Sequence, residues 1–569
     1  MPIKKIFSWG GMLVAVWLLV RCAGQVYPSG GPPDLTPPTI IRTVPDTNAV
    51  HVSTQSVSLE FSKYVVQRSL EESIFISPYV GDLEFEWSGR EVTIKFAQPL
   101  RKSTTYVVNI GTDVRDIREQ NRMASGFTLA FSTGDSIDRG YISGRVFDNK
   151  PEGVMIFAYK LTDVRPDTLD PGKVKPDYIM QTGKSGSFAL SNIALGPYRL
   201  FAIRDEYKNL LYDKQIDQFG VTNGDITLSA AVPRVNDIWF RLSQEDTTRP
   251  FLSGAQAPDR DHILVRFSES LDSLSFKKAE FAVTDTFGTN PIGIAVRSLS
   301  RLTPAAVSLV TSAPLESGKL YRLTVRRVYD RAGNEIDTLH AASDFSGSGE
   351  PDTVKPTFAV HGVADSMRGV PLDQTIDIDF SEPVRAQPMR GAIALLDSAR
   401  APLAFDVRWY GEAGLALVPR TPFWSNAWYQ LTLIMDSLRD YRGNSYRDST
   451  YRLHFQTLDL RTTGVIEGTV VDDAGTKGTG QVMVTASSVD LTPPRQKTIR
   501  LKQPGKFEME QIVEGKYVIS GYRDADSSGT YSYGLPYPFV PSERFAVYPD
   551  TVKVRARWGV EGVVLRFKK

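Results

Sequence analysis

Apolar and polar residues alternate in three short stretches that end alike: Leu59-Glu60-Phe61-Ser62-Lys63, Val265-Arg266-Phe267-Ser268-Glu269 and Ile378-Asp379-Phe380-Ser381-Glu382. A period of two is the pattern of a strand with one buried face. Phe61, Phe267 and Phe380 are therefore expected to be equivalent core residues of three separate modules. Each stretch sits inside a longer unit that opens with Asp and, four residues on, Pro: Asp34/Pro38, Asp246/Pro250 and Asp352/Pro356. A Pro-led segment then reaches an aromatic at Tyr106, Tyr321 or Tyr429. A polar turn follows at Asp116 to Asn121, Asp330 to Asn334 or Asp440 to Asn444, and a last strand lies near Phe131, Phe345 or Phe455. Short strands at this spacing over about 100 residues predict a sandwich of two antiparallel sheets.

A second kind of unit lies between and after these. Gly186-Ser187-Phe188 through Arg204-Asp205 aligns without a gap to Gly505-Lys506-Phe507 through Arg523-Asp524, with seven of twenty positions identical. Upstream, Ile142-x-Gly144-x-Val146 matches Ile466-x-Gly468-x-Val470. The expected fold class is all-β, with five tandem β-sandwich modules. The first series resembles SbsA-type bacterial Ig-like domains. The second resembles carboxypeptidase-regulatory-like domains, which are transthyretin-like sandwiches and imply no peptidase activity. The expected layout is a signal peptide over 1–21, a flexible tether over 22–36 and an Ig-like domain over 37–136. A regulatory-like domain over 137–244, Ig-like domains over 245–350 and 351–460 and a regulatory-like domain over 461–569 follow. Short linkers predict a semi-rigid string, which end to end would reach on the order of 150 Å.

The N-terminus changes the picture by giving an address. Lys4 and Lys5 precede an uncharged, mostly apolar stretch from Gly10 to Val20, the length of a secretory h-region and too short to cross a bilayer. Leu19-Val20-Arg21-Cys22-Ala23-Gly24 follows directly, and Cys22 is the sole cysteine. The run resembles a bacterial lipobox, although Arg21 stands where that pattern wants a small residue. Together with the Pro-Ser-Gly-Gly-Pro-Pro tether, it is similar to lipoproteins of the Bacteroidota. The resemblance implies lipidation at Cys22 and an outer-membrane lipoprotein, with the periplasmic or surface face left open.

Composition excludes more than it proposes. Of the chain's 569 residues, 66 are Lys or Arg and 65 are Asp or Glu. A net charge of +1 supplies no basic field for nucleic acid. One cysteine excludes an intramolecular disulfide and a Cys-based zinc site. The five histidines, His51, His262, His340, His361 and His454, never fall at i,i+4, and scattered rim positions are expected. Asp330 to Asn334 and Asp440 to Asn444 read as self-capped turns, because one carboxylate and one amide make a poor calcium site. The stronger metal candidate is Asp524-Ala525-Asp526-Ser527-Ser528-Gly529, in which Asp524, Asp526 and Ser528 offer oxygens at positions 1, 3 and 5 and Gly529 takes position 6. Leu535 stands where a calcium loop carries its bidentate Glu, so a plain turn remains the alternative. Trp424, Trp428 and Tyr429, and Tyr531, Tyr533, Tyr537 and Phe539, are read as core or rim packing, with sugar stacking as the alternative.

The expected function is a non-enzymatic structural or adhesive scaffold in the cell envelope, with a glycan-binding accessory protein as the second reading. No cofactor is required, and calcium is the one candidate ion. Expected partners are the membrane, through the N-terminal lipid, and envelope proteins or glycans.

Overall fold

The computed structural model describes residues 33–162, 165–286, 288, 290–385, 392–434, 438–445, 450–475 and 480–568. Cys22, the leader and most of the tether lie outside them. The chain divides into two compact units. One holds the chain up to Val164, with Pro176–Leu200 and Ile226–Ile238; the other holds Arg165–Lys175, Phe201–Asp225 and everything from Trp239 on.

In the first unit, a four-stranded sheet runs in the order Ile40–Val44, Ser56–Phe61, Glu91–Phe96, Leu83–Ser88. A three-stranded sheet of Ile74–Ser77, Thr105–Ile110 and Phe127–Ser132 completes the sandwich. The predicted alternation holds: Val57, Leu59 and Phe61 are buried, while Ser56, Ser58 and Glu60 are partly exposed. Their inward faces meet Val92, Ile94, Tyr106, Val108, Leu129 and Phe131 in one core. The same unit contains the antiparallel pairs Gly140–Phe147 with Ser187–Ile193 and Met155–Lys160 with Tyr178–Gln181. Asn109 Nδ2 donates to Ile179 O at 2.8 Å, and Ile179 N donates to Ser77 Oγ at 3.2 Å. Buried hydrogen bonds of this kind fix one sandwich on the next.

In the second unit, two further sandwiches repeat the strand order of the first. Leu252–Gln256, His262–Phe267, Ala306–Thr311 and Ile294–Leu299 form one sheet, and Phe358–His361, Ile376–Phe380, Gly414–Pro419 and Phe405–Trp409 form its counterpart. Phe267 is 5% exposed and Phe380 0%, so the three phenylalanines occupy equivalent core positions. In the last module, Thr463–Asp472 pairs antiparallel with Lys506–Val513 and parallel with Gly559–Phe567. A second sheet there contains Gln496–Leu501, Gln481–Ser488, Gly515–Asp524 and Phe545–Val547.

Each repeat type carries its own tyrosine bond. Tyr106, Tyr321 and Tyr429 stack on Phe131, Phe345 and Phe455 with centroids 5.6, 5.7 and 5.7 Å apart. Their hydroxyls accept from the backbone N–H five residues earlier, at Arg101, Glu316 and Trp424. In the other series, Tyr198 and Tyr517 donate to the carbonyls of Ala194 and Val513, four residues earlier. A buried phenol needs such a partner, and the repeat supplies it each time.

The end-to-end string is corrected. Within the second unit, the last module packs against strands that precede it by some 300 residues. Phe539 meets Phe201 edge-on at 6.1 Å, and Ser542 Oγ donates to Val221 O at 2.9 Å. Trp239 lies 5.8 Å from Phe545, and the Arg241 guanidinium sits over the Phe545 and Tyr531 rings at 4.4 and 5.0 Å. The apolar area of the rings between Tyr531 and Phe545 drives this docking, where linker length alone predicts an outward run.

Candidate functional site

The loop that follows strand Gly515–Asp524 carries the predicted oxygens, and the structure rearranges them. Carboxylate oxygens of Asp524, Asp526 and Glu543 lie within 4.8 Å of one another. Ser528 lies on the same loop, its N–H donating to Asp526 Oδ1 at 2.9 Å and its hydroxyl to Thr530 O at 2.8 Å. Position 12 of the loop, where a calcium loop carries its acid, is Leu535. The third carboxylate of the cluster is Glu543, from the segment that leads into Phe545–Val547. Loop donors occupy the carboxylates. Gly529 N donates to Asp524, Ser528 N and Ser532 Oγ to Asp526, and Ala525 N and Ser532 N to Glu543. The hydrogen bonds from Ser532 and Ser528 hold the Asp526 carboxyl down at about 2. Burial pushes Glu543 above its usual value against two backbone hydrogen bonds, and the charges of Asp526 and Asp524 add to the rise.

A second site recurs at one end of each Ig-like sandwich, where three separated sequence markers converge: the opening Asp, the charge after Phe-Ser, and the turn Asp with its Asn. The Asn side chain reaches back to the opening segment every time. Asn121 Nδ2 donates to Asp34 O, Asn334 Nδ2 to Asp246 O and Asn444 Nδ2 to Asp352 O, at 2.5, 3.0 and 3.3 Å. The turn aspartates cap their own turns as predicted. Asp440 Oδ1 accepts from the N–H of Arg442, Gly443 and Asn444 at 2.7, 2.6 and 2.9 Å, and Gly443 takes the left-handed conformation, φ +96°, that this demands.

The copies differ in the middle residue. In the first, Lys63 Nζ donates to Asp34 Oδ2 and Thr36 O, both at 2.6 Å, and holds the Asp34 carboxyl well below the usual range. In the other two, the residue is Glu. Carboxylate oxygens of Asp246, Glu269 and Asp330 come within 4.8 Å of one another, as do those of Asp352, Glu382 and Asp440. The reading of Asp440 to Asn444 as one carboxylate and one amide is therefore corrected: folding brings three carboxylates there.

His262 also departs from expectation. It is 6% exposed, with Nδ1 2.9 Å from Asp259 Oδ2 and 3.8 Å from Asp352 Oδ2. Burial pulls its pKa down, but the Asp259 hydrogen bond and the charges of Asp259, Asp352 and Glu382 outweigh that and raise it. The aromatic clusters separate by role. Tyr429 is core, Trp428 lies beneath the Arg368 guanidinium, and Trp424 is 76% exposed. Tyr531 packs against Tyr522, Tyr533 and Phe545.

A family model described as Bacterial Ig-like domain matches residues 34–133 and 352–457. The chain contains bacterial Ig-like modules. The copy between them shares their strand order without being matched. No curated protein matches the chain in sequence. Among solved structures, the N-terminal part of the bacterial S-layer protein SbsC is 14% identical, over 37% of this chain and 44% of that one, with a TM-score of 0.17. The S-layer protein rSbsC(31-844) is 9% identical over 92% of this chain and 67% of that one, with a TM-score of 0.16. The BSP domain of a biofilm associated protein is 10% identical over 74% of this chain and 96% of that one, also at 0.16. The chain thus spans less than half of the first SbsC fragment. Similarities at these scores bear on no functional point.

Proposed function

We propose that the chain is an exported, lipid-anchored, non-enzymatic scaffold that holds Ig-like and regulatory-like sandwiches in the bacterial envelope, with a structural or adhesive role. The supporting observation is how much of its polar chemistry is spent at junctions between modules. Asn109 and Ser77 bind the backbone of Ile179, Ser300 Oγ donates to Phe380 O, and Arg442 pairs with Asp261 at 2.8 Å while donating to Thr311 O. Fixed junctions suit a spacer that must present a surface at a set geometry. Lipidation of Cys22 is the proposed anchor, and an outer-membrane location follows from the lipoprotein resemblance. Metabolic labelling with an alkyne fatty acid is expected to mark the protein, and Cys22→Ser is expected to lose the label and leave the membrane fraction. A Cys22→Ser protein that keeps the label defeats the anchor. Stable attachment requires more than one acyl chain, since a single chain binds only marginally.

For the last module, the proposal is a weak calcium loop in which Glu543 joins Asp524 and Asp526. With loop donors already on these carboxylates, the dissociation constant is expected at the extracellular end, roughly 10⁻⁴ to 10⁻³ M. Calcium at ten times that constant raises stability by about 1.4 kcal/mol. The check is hydrogen–deuterium exchange over residues 524–545 of the full chain in calcium and in chelator, with Asp526→Ala expected to remove the slowing by calcium in that segment.

A further inference from the structure

We propose that the junction carboxylates Asp352, Glu382 and Asp440 bind a calcium ion, and that the first module replaces this ion with the ammonium group of Lys63. The inference stands independently of the scaffold reading. The first observation is an unpaired oxygen. Asp440 is wholly buried; its Oδ1 is consumed by three backbone N–H groups, its Oδ2 has no hydrogen-bond partner among the described residues, and one of its carboxylate oxygens lies within 4.8 Å of one from each of the other two acids. A buried carboxylate oxygen left unpaired is costly unless a cation or a proton answers it.

The second observation is the comparison the chain makes with itself. In the first module a cation stands at the corresponding corner: Lys63 Nζ is held by Asp34 Oδ2 and Thr36 O, and its charge acts on Asp116, whose Oδ2 has no hydrogen-bond partner either among the described residues. Asp34 and Asp116 against Lys63 leave a charge of −1 at that corner, whereas Asp352, Glu382 and Asp440 make −3. One divalent cation returns the third module to −1. Among the described residues, the cations near it have other acids as partners. His262 is the partner of Asp259, which adds a fourth carboxylate, and Arg442 is engaged by Asp261 and Thr311 O.

The donor set selects the ion. Carboxylate oxygens favour a hard cation, and their mutual distances of up to 4.8 Å fit within twice a calcium–oxygen bond, about 4.6–5.2 Å. The second module repeats the acids but not the free oxygen, because Asp330 spends Oδ1 and Oδ2 on Asn334 N and Nδ2. It carries no proposal and serves as a control. A bound ion would tie the opening segment of the third module at Asp352, which also faces His262 of the second, to the turn at Asp440. The junction would then be stiffer with calcium than without it.

The test is hydrogen–deuterium exchange of the full chain, solubilised in detergent, in a background of Asp526→Ala so that the last-module loop is silent. Calcium is the probe and EGTA the reference. Calcium is expected to slow exchange around residues 438–445 and 352–354. Glu382→Gln, at a partly exposed side chain that caps nothing, is expected to raise the calcium concentration needed by at least about tenfold, since it removes one charged ligand. Glu382→Lys is expected to give slow exchange in EGTA and no further response to calcium, the behaviour of the first module. Glu269→Gln is expected to leave the response unchanged. An unaltered Asp440 turn on adding calcium overturns the proposal and leaves Glu382 holding a proton. A Glu382→Gln protein that responds like its parent, or a response lost with Glu269→Gln, overturns it equally.

Discussion

Phe380→Ala is expected to lower the stability of its own module by about 3–5 kcal/mol, a large part of the roughly 5–15 kcal/mol that holds a domain folded. The ring is fully buried, lies 6.2 Å from the Trp409 ring and packs in a core with Leu415, Tyr429 and Phe455. Truncation removes the buried area and leaves a cavity that close-packed strands cannot fill. Phe61→Ala is expected to cost a similar amount in the first module, where the equivalent ring lies 6.4 Å from Trp87. The two cores share no residue. Limited proteolysis along a urea series, read by mass spectrometry, should therefore show selective damage. Phe380→Ala is expected to open sites within 352–457 at lower urea while fragments from 40–132 persist, and Phe61→Ala to do the reverse. Simultaneous loss of both regions in either variant would mean that they unfold as one body.

Much of the fold was legible because β-sandwich cores write themselves locally. The alternation ending at Phe61, Phe267 and Phe380 needs only six residues to show which face is buried. The Tyr and Phe markers recur at a spacing that the stacked pairs Tyr106–Phe131, Tyr321–Phe345 and Tyr429–Phe455 then explain. The carboxylate corner was not legible as a site, although every residue in it stands at a repeated motif position. Asp352 and Asp440 lie 88 positions apart with Glu382 between them, and only the pairing of the intervening strands brings their oxygens together. Lys63, Glu269 and Glu382 all read as one charge after Phe-Ser, yet the sign at that position decides what the corner can bind. Glu543 escaped for a related reason. The calcium-loop pattern expects its last acid inside a continuous loop, and here the acid arrives from the far side of Tyr531. Docking of Phe539 on Phe201 leaves no local trace at all, because surface rings look the same in sequence whether or not another module covers them.

The other large effect is expected at Asp472, the end of strand Thr463–Asp472 in the last module. Its side chain is fully buried between two arginines: Arg544 Nη1 donates to Oδ1 at 2.8 Å, and Arg523 Nε lies 3.6 Å from Oδ2. Arg544 has other partners in the carbonyls of Phe567 and Lys568. Arg523 is the less well satisfied of the two: its side chain is 3% accessible, and its Nε and Nη1 have no hydrogen-bond partner among the described residues. Its charge is therefore answered chiefly by Asp472. Asp472→Asn keeps the shape and removes the charge, leaving a buried guanidinium uncompensated, which typically costs 3–5 kcal/mol, so about that loss is expected. Replacing both members, Asp472→Asn with Arg523→Met, is expected to recover most of it, because an apolar side chain has no desolvation cost to offset. The loss should also change little between low and high salt, as screening hardly reaches a buried pair. Urea melts of the two variants, followed by proteolysis within 462–568, measure all three expectations. A single substitution that costs under about 1 kcal/mol, the scale of an exposed ion pair, would show that water reaches Arg523 and that its charge is solvated.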